Sequence, residues 1–452
     1  MQYIMFPSGL VGFTNDKTEI VQTTTDREMY LLYGQLESSV DQCSCLHCGT
    51  HMHIHGSFEV TLRHLCFGHR MSCLRFTKFR YLCPLCRKTR MQEVPFQAQG
   101  HRISVELLTY TRDLLAYGLT NKEVAYLTGL GKNTVKDIDL QRLKDRYTID
   151  GTRLIKPEKQ AKILGIDEFK LHNGHQYAVV IIDMESGHIL WLAHGKKKAS
   201  VHAFIDHVGE EWMDGVEAVA CDMNSDFQEV FEERCAHIQP VFDHFHLVRN
   251  FNDKVVGQIR KDEQKRLIAE GDLEGAQSLK GCKYILASSK QTLARKDENA
   301  GKVINKGSSL FSREPYVLKG GHLDKYEELL SQNKLLFTLD LIKEKLSGAY
   351  KMTDEPSMAK AISEIMDMCW SSKNSHLRWF RRLLDNHFEG IIAHATYAIS
   401  SGKIEGVNNR TKTLRRKGYG YADDEYFFLK LFGASRKAYV RNPVAHRIPQ
   451  NL

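Results

Sequence analysis

Three acidic residues stand where the surrounding pattern could put them to chemical use. Asp167 closes the apolar, β-branched run at 163–166 in ILGIDEF, Asp222 closes the run at 218–221 in AVACDMN, and Glu405 lies in SSGKIEGVNNRTKTLRRKGYGY, a basic helical stretch behind a Ser-Gly turn. A carboxylate at the end of a buried strand is costly to desolvate unless it is hydrogen-bonded or faces a cation. Two strand-end aspartates and a helical glutamate that converge can hold two divalent ions, Mg2+ or Mn2+, for phosphoryl transfer. Each acid taken alone also reads as structural: a strand-end cap for the aspartates, an ion pair with Arg410 or Lys412 for Glu405. A further apolar pair, Val241 and Phe242, leads into Asp243-His244-Phe245-His246. Asp243, His244 and His246 could support a metal site from behind, or serve as ordinary core groups at a strand end.

Cysteines supply a second centre. Seven of the eleven fall between Cys43 and Cys86, including the pairs Cys45-x2-Cys48 and Cys83-x2-Cys86. Two such knuckles supply four thiolates, the donor set of a structural tetrahedral Zn2+. The 34 residues between Cys48 and Cys83 exceed the usual spacing, and Cys43, His47, His51, His53 and His55 are alternative ligands. A redox or unpaired-thiol role competes with zinc. Cys221, Cys235, Cys282 and Cys369 stand alone in apolar or helical settings, as buried small hydrophobes do.

Around these residues the elements can be placed. Residues 1–40 carry no nameable chemistry and read as a lead-in helix and strand. A basic, strand-rich segment separates the two knuckles, and 95–100 is a linker. Residues 104–117 show helical apolar spacing. Thr120 and Glu123 then form a capping box for a short helix with Val124, Ala125 and Leu127 turned inward; it stops at Gly129, and a third helix starts near Lys132. Helix, Gly turn, helix is a helix-turn-helix, whose second helix would bring Lys132, Asn133, Thr134 and Lys136 to base edges or phosphates. A plain three-helix packing unit shows the same pattern. From 163 onward three strands, separated by turns at Asn173-Gly174 and Ser186-Gly187, precede strands that alternate with helices. That is the order of an RNase H-like mixed sheet, with the ends of its first and fourth strands adjacent. From 247 to about 400 the text is helical and charged, with apolar stripes at Leu335, Leu336, Leu339, Ile342 and Leu346 and at Ile362, Ile365 and Met366. Trp370, Trp379 and Phe380, near Arg378, Arg381 and Arg382, could flank DNA or pack as core aromatics beside solvated arginines.

The composition is that of a globular protein, 42% hydrophobic and 26% charged over 452 residues, long enough for two to four domains. No apolar run is long enough to cross a bilayer and no signal-peptide pattern opens the chain, so a cytoplasmic, nucleoid-associated protein with no membrane partner is expected. The formal charge of +8 is concentrated: eight Lys or Arg and no acid between residues 62 and 90, and six against Glu405 alone between 403 and 417. Two such blocks suit a polyanion held at two places, although each alone could be a solvated face.

The ordered set CLHC, CPLC, helix-turn-helix, GIDEF, CDMN, FDHFHLVRN and KIEGVNNRTKTLRRKGYGY resembles the bacterial insertion-sequence transposases of the DDE type, ISL3 group, over residues 45 to about 433. The resemblance implies a multidomain α/β protein: an RNase H-like catalytic core with a helical insertion, preceded by a zinc-binding module and a helix-turn-helix. The expected boundaries are 1–40 lead-in, 41–95 zinc module, 100–147 helix-turn-helix, 158–250 core, 251–395 insertion, 396–440 catalytic helix and 441–452 tail. It implies Asp167, Asp222 and Glu405 as the catalytic triad on two Mg2+ or Mn2+ ions, and Cys45, Cys48, Cys83 and Cys86 on structural Zn2+. Asn408, Asn409, Lys412, Arg415 and Arg416, one to three turns beyond Glu405, would contact phosphates. The partners would be duplex DNA, as terminal inverted repeats and target, and further copies of the chain in a dimer or larger synaptic complex. A DNA-binding regulator that has lost catalysis, and a metal-dependent nuclease with the same core, are the competing readings.

Overall fold

The structure, a computed structural model, describes residues 10–24, 26–37, 44–195, 198–223, 226–306, 314–399 and 402–436; Cys43, the Ser400-Ser401 turn and the tail at 441–452 lie outside them. The chain forms two compact units, residues 1–155 with 414–430, and residues 156–413 with 431–452.

In the first unit β1 (Phe13–Gln22) and β2 (Glu28–Leu36) form one antiparallel hairpin and β3 (His53–Phe67) and β4 (Arg70–Leu82) a longer one, with β5 (Thr89–Met91) added to β4. Because β2 pairs parallel with β4, all five strands make one sheet. The opening segment, expected as a helix and a strand, is therefore two strands of this sheet. Its apolar residues find their partners far along the chain: Phe13, Tyr30 and Leu32 share a core with Leu62, Leu74, Phe76 and Phe96. Local periodicity carries no trace of such pairing.

Three helices follow, α1 (Val105–Tyr117), α2 (Asn121–Thr128) and α3 (Lys132–Tyr147), then the short hairpin β6 (Thr148–Ile149) and β7 (Arg153–Leu154). Ser104 caps α1, and the Thr120–Glu123 capping box opens α2 as its sequence dictates. Leu107, Leu115, Val124, Val135 and Ile138 fill the space between the helices. Leu127 departs from expectation, since it is exposed and Thr128, four residues from Val124, faces inward, its hydroxyl donating to the Val124 carbonyl at 2.6 Å.

The second unit is built on a five-stranded mixed sheet of β8 (Ile163–Lys170), β9 (Tyr177–Asp183), β10 (Ile189–His194), β11 (Ala218–Cys221) and β12 (Gln239–Phe242), in the order β10-β9-β8-β11-β12. The first three are antiparallel; β11 runs parallel to both β8 and β12. Residues 178–182 of β9 are all buried, so both faces must be covered. One face packs on Val201, Phe204, Ile205, Phe227, Val230 and Phe231 from the helices Lys198–Val208 and Phe227–Arg234. Cys221, Met223 and Phe242 instead share the core of the helical region, with Leu336, Leu339, Ile342, Leu346, Ile362 and Ile365 from the expected stripes. That region begins as helix His244–Asn250, passes through the π-helical turn Phe251–Val256, and holds a small hairpin of Val303–Lys306 and Glu314–Val317. Among the described residues no helix is long and apolar enough to cross a membrane.

Candidate catalytic carboxylates and cysteine cage

Asp167 does not end its strand. β8 continues to Lys170, with Asp167 opposite Val180 on β9. The other edge of β8 is paired only as far as Gly165, opposite Ala220 of β11. Asp222, two residues beyond Ala220, and Asp167, two beyond Gly165, therefore fall at one level on adjacent parallel strands. Cys221 pairs with Phe242, so Asp243 falls at that level on the next strand. Asp167 inside β8, and Asp222 and Asp243 just past the ends of β11 and β12, thus fall at one level, spaced by roughly the 4.8 Å of a strand interval.

His246, in the first turn after β12, meets this row. Its Nδ1 lies 3.4 Å from Asp222 Oδ2. The hydrogen bond to Asp222 holds the imidazolium above its ordinary pKa; burial opposes it, and the charges of Asp222, Asp243 and Asp167 add to the rise. This negative field is the environment that favours a divalent cation. His244 turns elsewhere, its ring 4.5 Å from that of Tyr350, and burial lowers its pKa. Asp243 is 8% exposed, and its Oδ2 is buried without a hydrogen-bond partner among the described residues.

Helix Gly402–Lys417 brings Glu405 to the same sheet. A Cβ on Gly165 would stand 2.5 Å from Met184 Sδ and 3.0 Å from both Ile182 Cγ1 and Ile404 Cδ1, so only glycine lets this helix approach β8 so closely. Lys403 also donates to the Glu185 carbonyl. One turn on, Asn408 Nδ2 donates to Asp167 Oδ2 at 2.6 Å, while the Glu168 N–H donates to Asp167 Oδ1 at 2.7 Å. Glu405 lies between Ile404 and Asn408 and is exposed. The phosphate contact expected of Asn408 is thus replaced by a bond to Asp167, a pairing legible only in its i,i+3 spacing from Glu405. Arg410 donates to the Ala434 carbonyl at 2.6 Å. Asn409, Lys412 and Arg416 are exposed. His387, unremarked in the sequence, also feels the charge of Asp222, against a larger lowering of its pKa by burial.

In the first unit, β3 and β4 explain the long interval between the cysteine pairs. Their register pairs His53 with Leu82, so the hairpin leaves one knuckle and returns to the other. The knuckles match: the Cys45 N–H donates to the Thr50 carbonyl at 2.9 Å and the Cys83 N–H to the Lys88 carbonyl at 2.9 Å. Each turn closes on a left-handed residue, Gly49 at φ 69° and Arg87 at φ 57°. Cys45, Cys48, Cys83 and Cys86 place their sulfurs within 4.8 Å of one another; among the described residues no other group of three or more possible metal ligands does so. The Sγ–Sγ distances are 3.4 Å for Cys45–Cys86 and 3.5 Å for Cys48–Cys83. Zn–S bonds of about 2.3 Å in a tetrahedron require about 3.8 Å, a small expansion. The Thr50 hydroxyl and N–H pull the Cys48 thiol down to about 6. The Lys88 N–H favours the Cys86 thiolate, but burial and the three neighbouring sulfurs outweigh it and push Cys86 up to about 11. Crowded sulfurs of this kind suit a cation. His47, His51, His53 and His55 are exposed and do not join the group.

On α3, Lys132 and Asn133 are exposed and Thr134 is half-buried. Lys136 is committed within the unit, 2.8 Å from Asp423. Asp139 of the same helix, fully buried, accepts from Tyr426 Oη at 2.6 Å, Lys430 Nζ at 2.7 Å, and Arg142 Nη2 at 2.6 Å and Nε at 3.0 Å. Residues 414–430 thereby complete the three-helix unit.

Comparison with known proteins identifies the family. A family described as transposase, of the ISL3 DDE type, matches residues 164–431, more than half of the chain. The chain is 25% identical over 393 residues to the transposase for insertion sequence element IS1001 of Bordetella parapertussis, covering 86% of this chain and 88% of that one. It is 22% identical over 259 residues to the transposase for insertion sequence element IS1557 of Mycobacterium tuberculosis, covering 57% and 56%. The chain belongs to the ISL3 family of DDE transposases.

Proposed function

We propose that the protein binds the ends of an insertion sequence and carries out DNA cleavage and strand transfer by metal-dependent displacement at phosphorus. The observation that carries this reading is the alignment of Asp167 and Asp222 at one level of two adjacent parallel strands, with Glu405 on the helix that holds Asp167 through Asn408. The strand order, three antiparallel followed by two parallel, supports an RNase H-like core.

The donor set suits a divalent cation: carboxylates at one level, with a neighbouring imidazole whose pKa is raised first by its hydrogen bond to Asp222 and then by the charges of Asp222, Asp243 and Asp167. Asp167, Asp222 and Glu405 would hold Mg2+ or Mn2+, which when bound supplies charge neutralisation and activation of a water or a DNA 3′-hydroxyl. Asn408 orients the Asp167 carboxylate, and His246 orients that of Asp222. Cys45, Cys48, Cys83 and Cys86 would hold structural Zn2+ at the open end of the β3–β4 hairpin, in a module that, with the helix-turn-helix, recognises the element's ends. Lys132, Asn133 and Thr134 lead α3 toward DNA, while Asn409, Lys412, Arg415 and Arg416 face phosphates near the chemistry. Joining two ends requires at least two copies of the chain.

Cleavage and strand transfer on labelled DNA carrying the element's own ends test this, with Mg2+ or EDTA, in the native protein, Asp222→Asn and Glu405→Gln. Metal-dependent products that vanish in both variants while DNA binding survives are expected. Binding without product under any metal, including Mn2+ with paired ends, would favour a DNA-binding protein that has lost catalysis.

A further inference from the structure

An exposed aromatic with unpaired cations stands apart from the residues above. Trp370 ends helix Glu355–Ser371 with 58% of its surface in solvent. The guanidinium of Arg381 lies 4.8 Å from its ring centroid and that of Arg378 5.5 Å, both from helix Ser375–Asn386. Of the expected aromatic group, Phe380 points the other way: it is fully buried, its ring 4.9 Å from that of Phe251. The helix is thus pinned to the core by one face and presents the arginines on another.

Three features mark this face as more than a covered tryptophan. Between residues 368 and 384 there are four Lys or Arg and no acid. None of Arg378, Arg381 and Arg382 has an ion pair among the described residues, although ion pairs stud the neighbouring helices, as Lys345 with Glu364. Arg381 Nε is buried and has no hydrogen-bond partner among the described residues. A guanidinium held over an indole can still offer N–H groups to phosphate oxygens, and Arg378 and Arg382 are exposed.

We propose that Trp370, Arg378 and Arg381, with Arg382 beside them, form a second duplex-DNA contact that grips the sugar-phosphate backbone away from the catalytic carboxylates. This rests on the reading of the protein as a DNA strand-transfer enzyme and assigns its helical region a task in holding the substrate. An acidic protein surface, including that of another copy, is the other polyanion the patch could meet, and the test separates the two.

The test uses full-length protein in an Asp222→Asn background, a fluorescein-labelled 60-base-pair duplex carrying one element end, and titration at several KCl concentrations. Removing two phosphate contacts lowers the slope of log affinity against log salt by about 1.8. The double substitution Arg378→Gln/Arg381→Gln is expected to weaken binding about tenfold with that loss of slope, and Trp370→Ala severalfold. Trp370→Phe should keep most of the affinity, and Lys345→Gln, a cation elsewhere on the helices that is already paired with Glu364, should change neither quantity. Circular dichroism melting controls for folding. Unchanged affinity and slope in the arginine variant, with binding otherwise intact, would overturn the proposal and leave the catalytic reading standing. A variant that loses self-association but keeps its DNA affinity would overturn it in favour of a protein-facing surface. Failure of every form to bind duplex would remove the DNA-binding reading and this one with it.

Discussion

Replacing Asp139 with alanine should damage the three-helix unit far more than an ordinary surface change. Its carboxylate is fully buried and takes hydrogen bonds from Tyr426, Lys430 and Arg142. Lys430 and Arg142 are themselves only 12% and 17% exposed. Removing the acid leaves two sequestered cations without their acceptor and Tyr426 Oη with only the Asn121 amide oxygen, at 3.2 Å; stranding a buried ion-pair partner costs about 3–5 kcal/mol. We expect a loss of about 4 kcal/mol, equivalent to about three decades in the exchange of amides that open with the unit. Burial opposes ionisation of Asp139, but the Lys430 and Arg142 charges prevail and hold its pKa below the usual carboxylate range. Its contribution is therefore present above the unfolded value near 4 and is lost as pH falls through the lower folded value. All four tryptophans, Trp191, Trp212, Trp370 and Trp379, belong to the second unit, so their fluorescence reports on that unit. The assay is hydrogen exchange of peptides from Lys132–Tyr147, with tryptophan fluorescence in urea as the internal control. The double substitution Asp139→Leu/Lys430→Met should recover part of the loss, because Arg142 still lacks its acceptor. Unaltered exchange in α3, or a fluorescence transition displaced as far as the α3 peptides, would refute the reasoning.

Three further outcomes can be checked. The native protein should purify with about one zinc per chain, and Cys83→Ser should lose it together with exchange protection at the base of the β3–β4 hairpin; metal-free protein with full protection there would argue against the cage. Asn408→Ala should raise the Mg2+ concentration needed for half-maximal cleavage and lower the rate about 10- to 100-fold; Lys412→Ala should instead weaken DNA binding and flatten its salt dependence, and the opposite assignment would place Asn408 on the DNA. Gly165→Val should crowd Met184 and Ile404 and cost about 1–3 kcal/mol in the tryptophan-monitored transition; a neutral result would mean that the Glu405 helix does not press on β8.

The sequence made local features readable and hid the long-range ones. Capping by Ser104, Thr120 and Glu123 is written in adjacent residues, as are the turns at Gly174 and Gly187, and each lies where its chemistry requires. β9 and β11 were legible because a run buried on both faces must be continuously apolar. The end of β8 was not, because Asp167 interrupts the hydrophobic run while the backbone ladder, indifferent to side-chain polarity, continues to Lys170. β1 and β2 escaped because their pairing and core come from β4. Asn408 and Lys136 were read as DNA contacts because exposed-looking polar residues on basic helices resemble phosphate binders; their partners, Asp167 and Asp423, are fixed only by tertiary structure.

The Asp139 network also bears on how the protein is made. Asp139 and Lys430 are 291 residues apart in sequence. At about 5–20 residues per second, a ribosome needs roughly 15–60 s to travel from one to the other. Throughout that interval the nascent three-helix unit carries an acid meant for burial without its distant cation, and only a polypeptide extended past residue 430 can close the unit. Products of premature termination before residue 430 should therefore be poorly folded in this unit and prone to proteolysis, so that aborted synthesis yields few stable fragments able to compete with chains that carry Lys430.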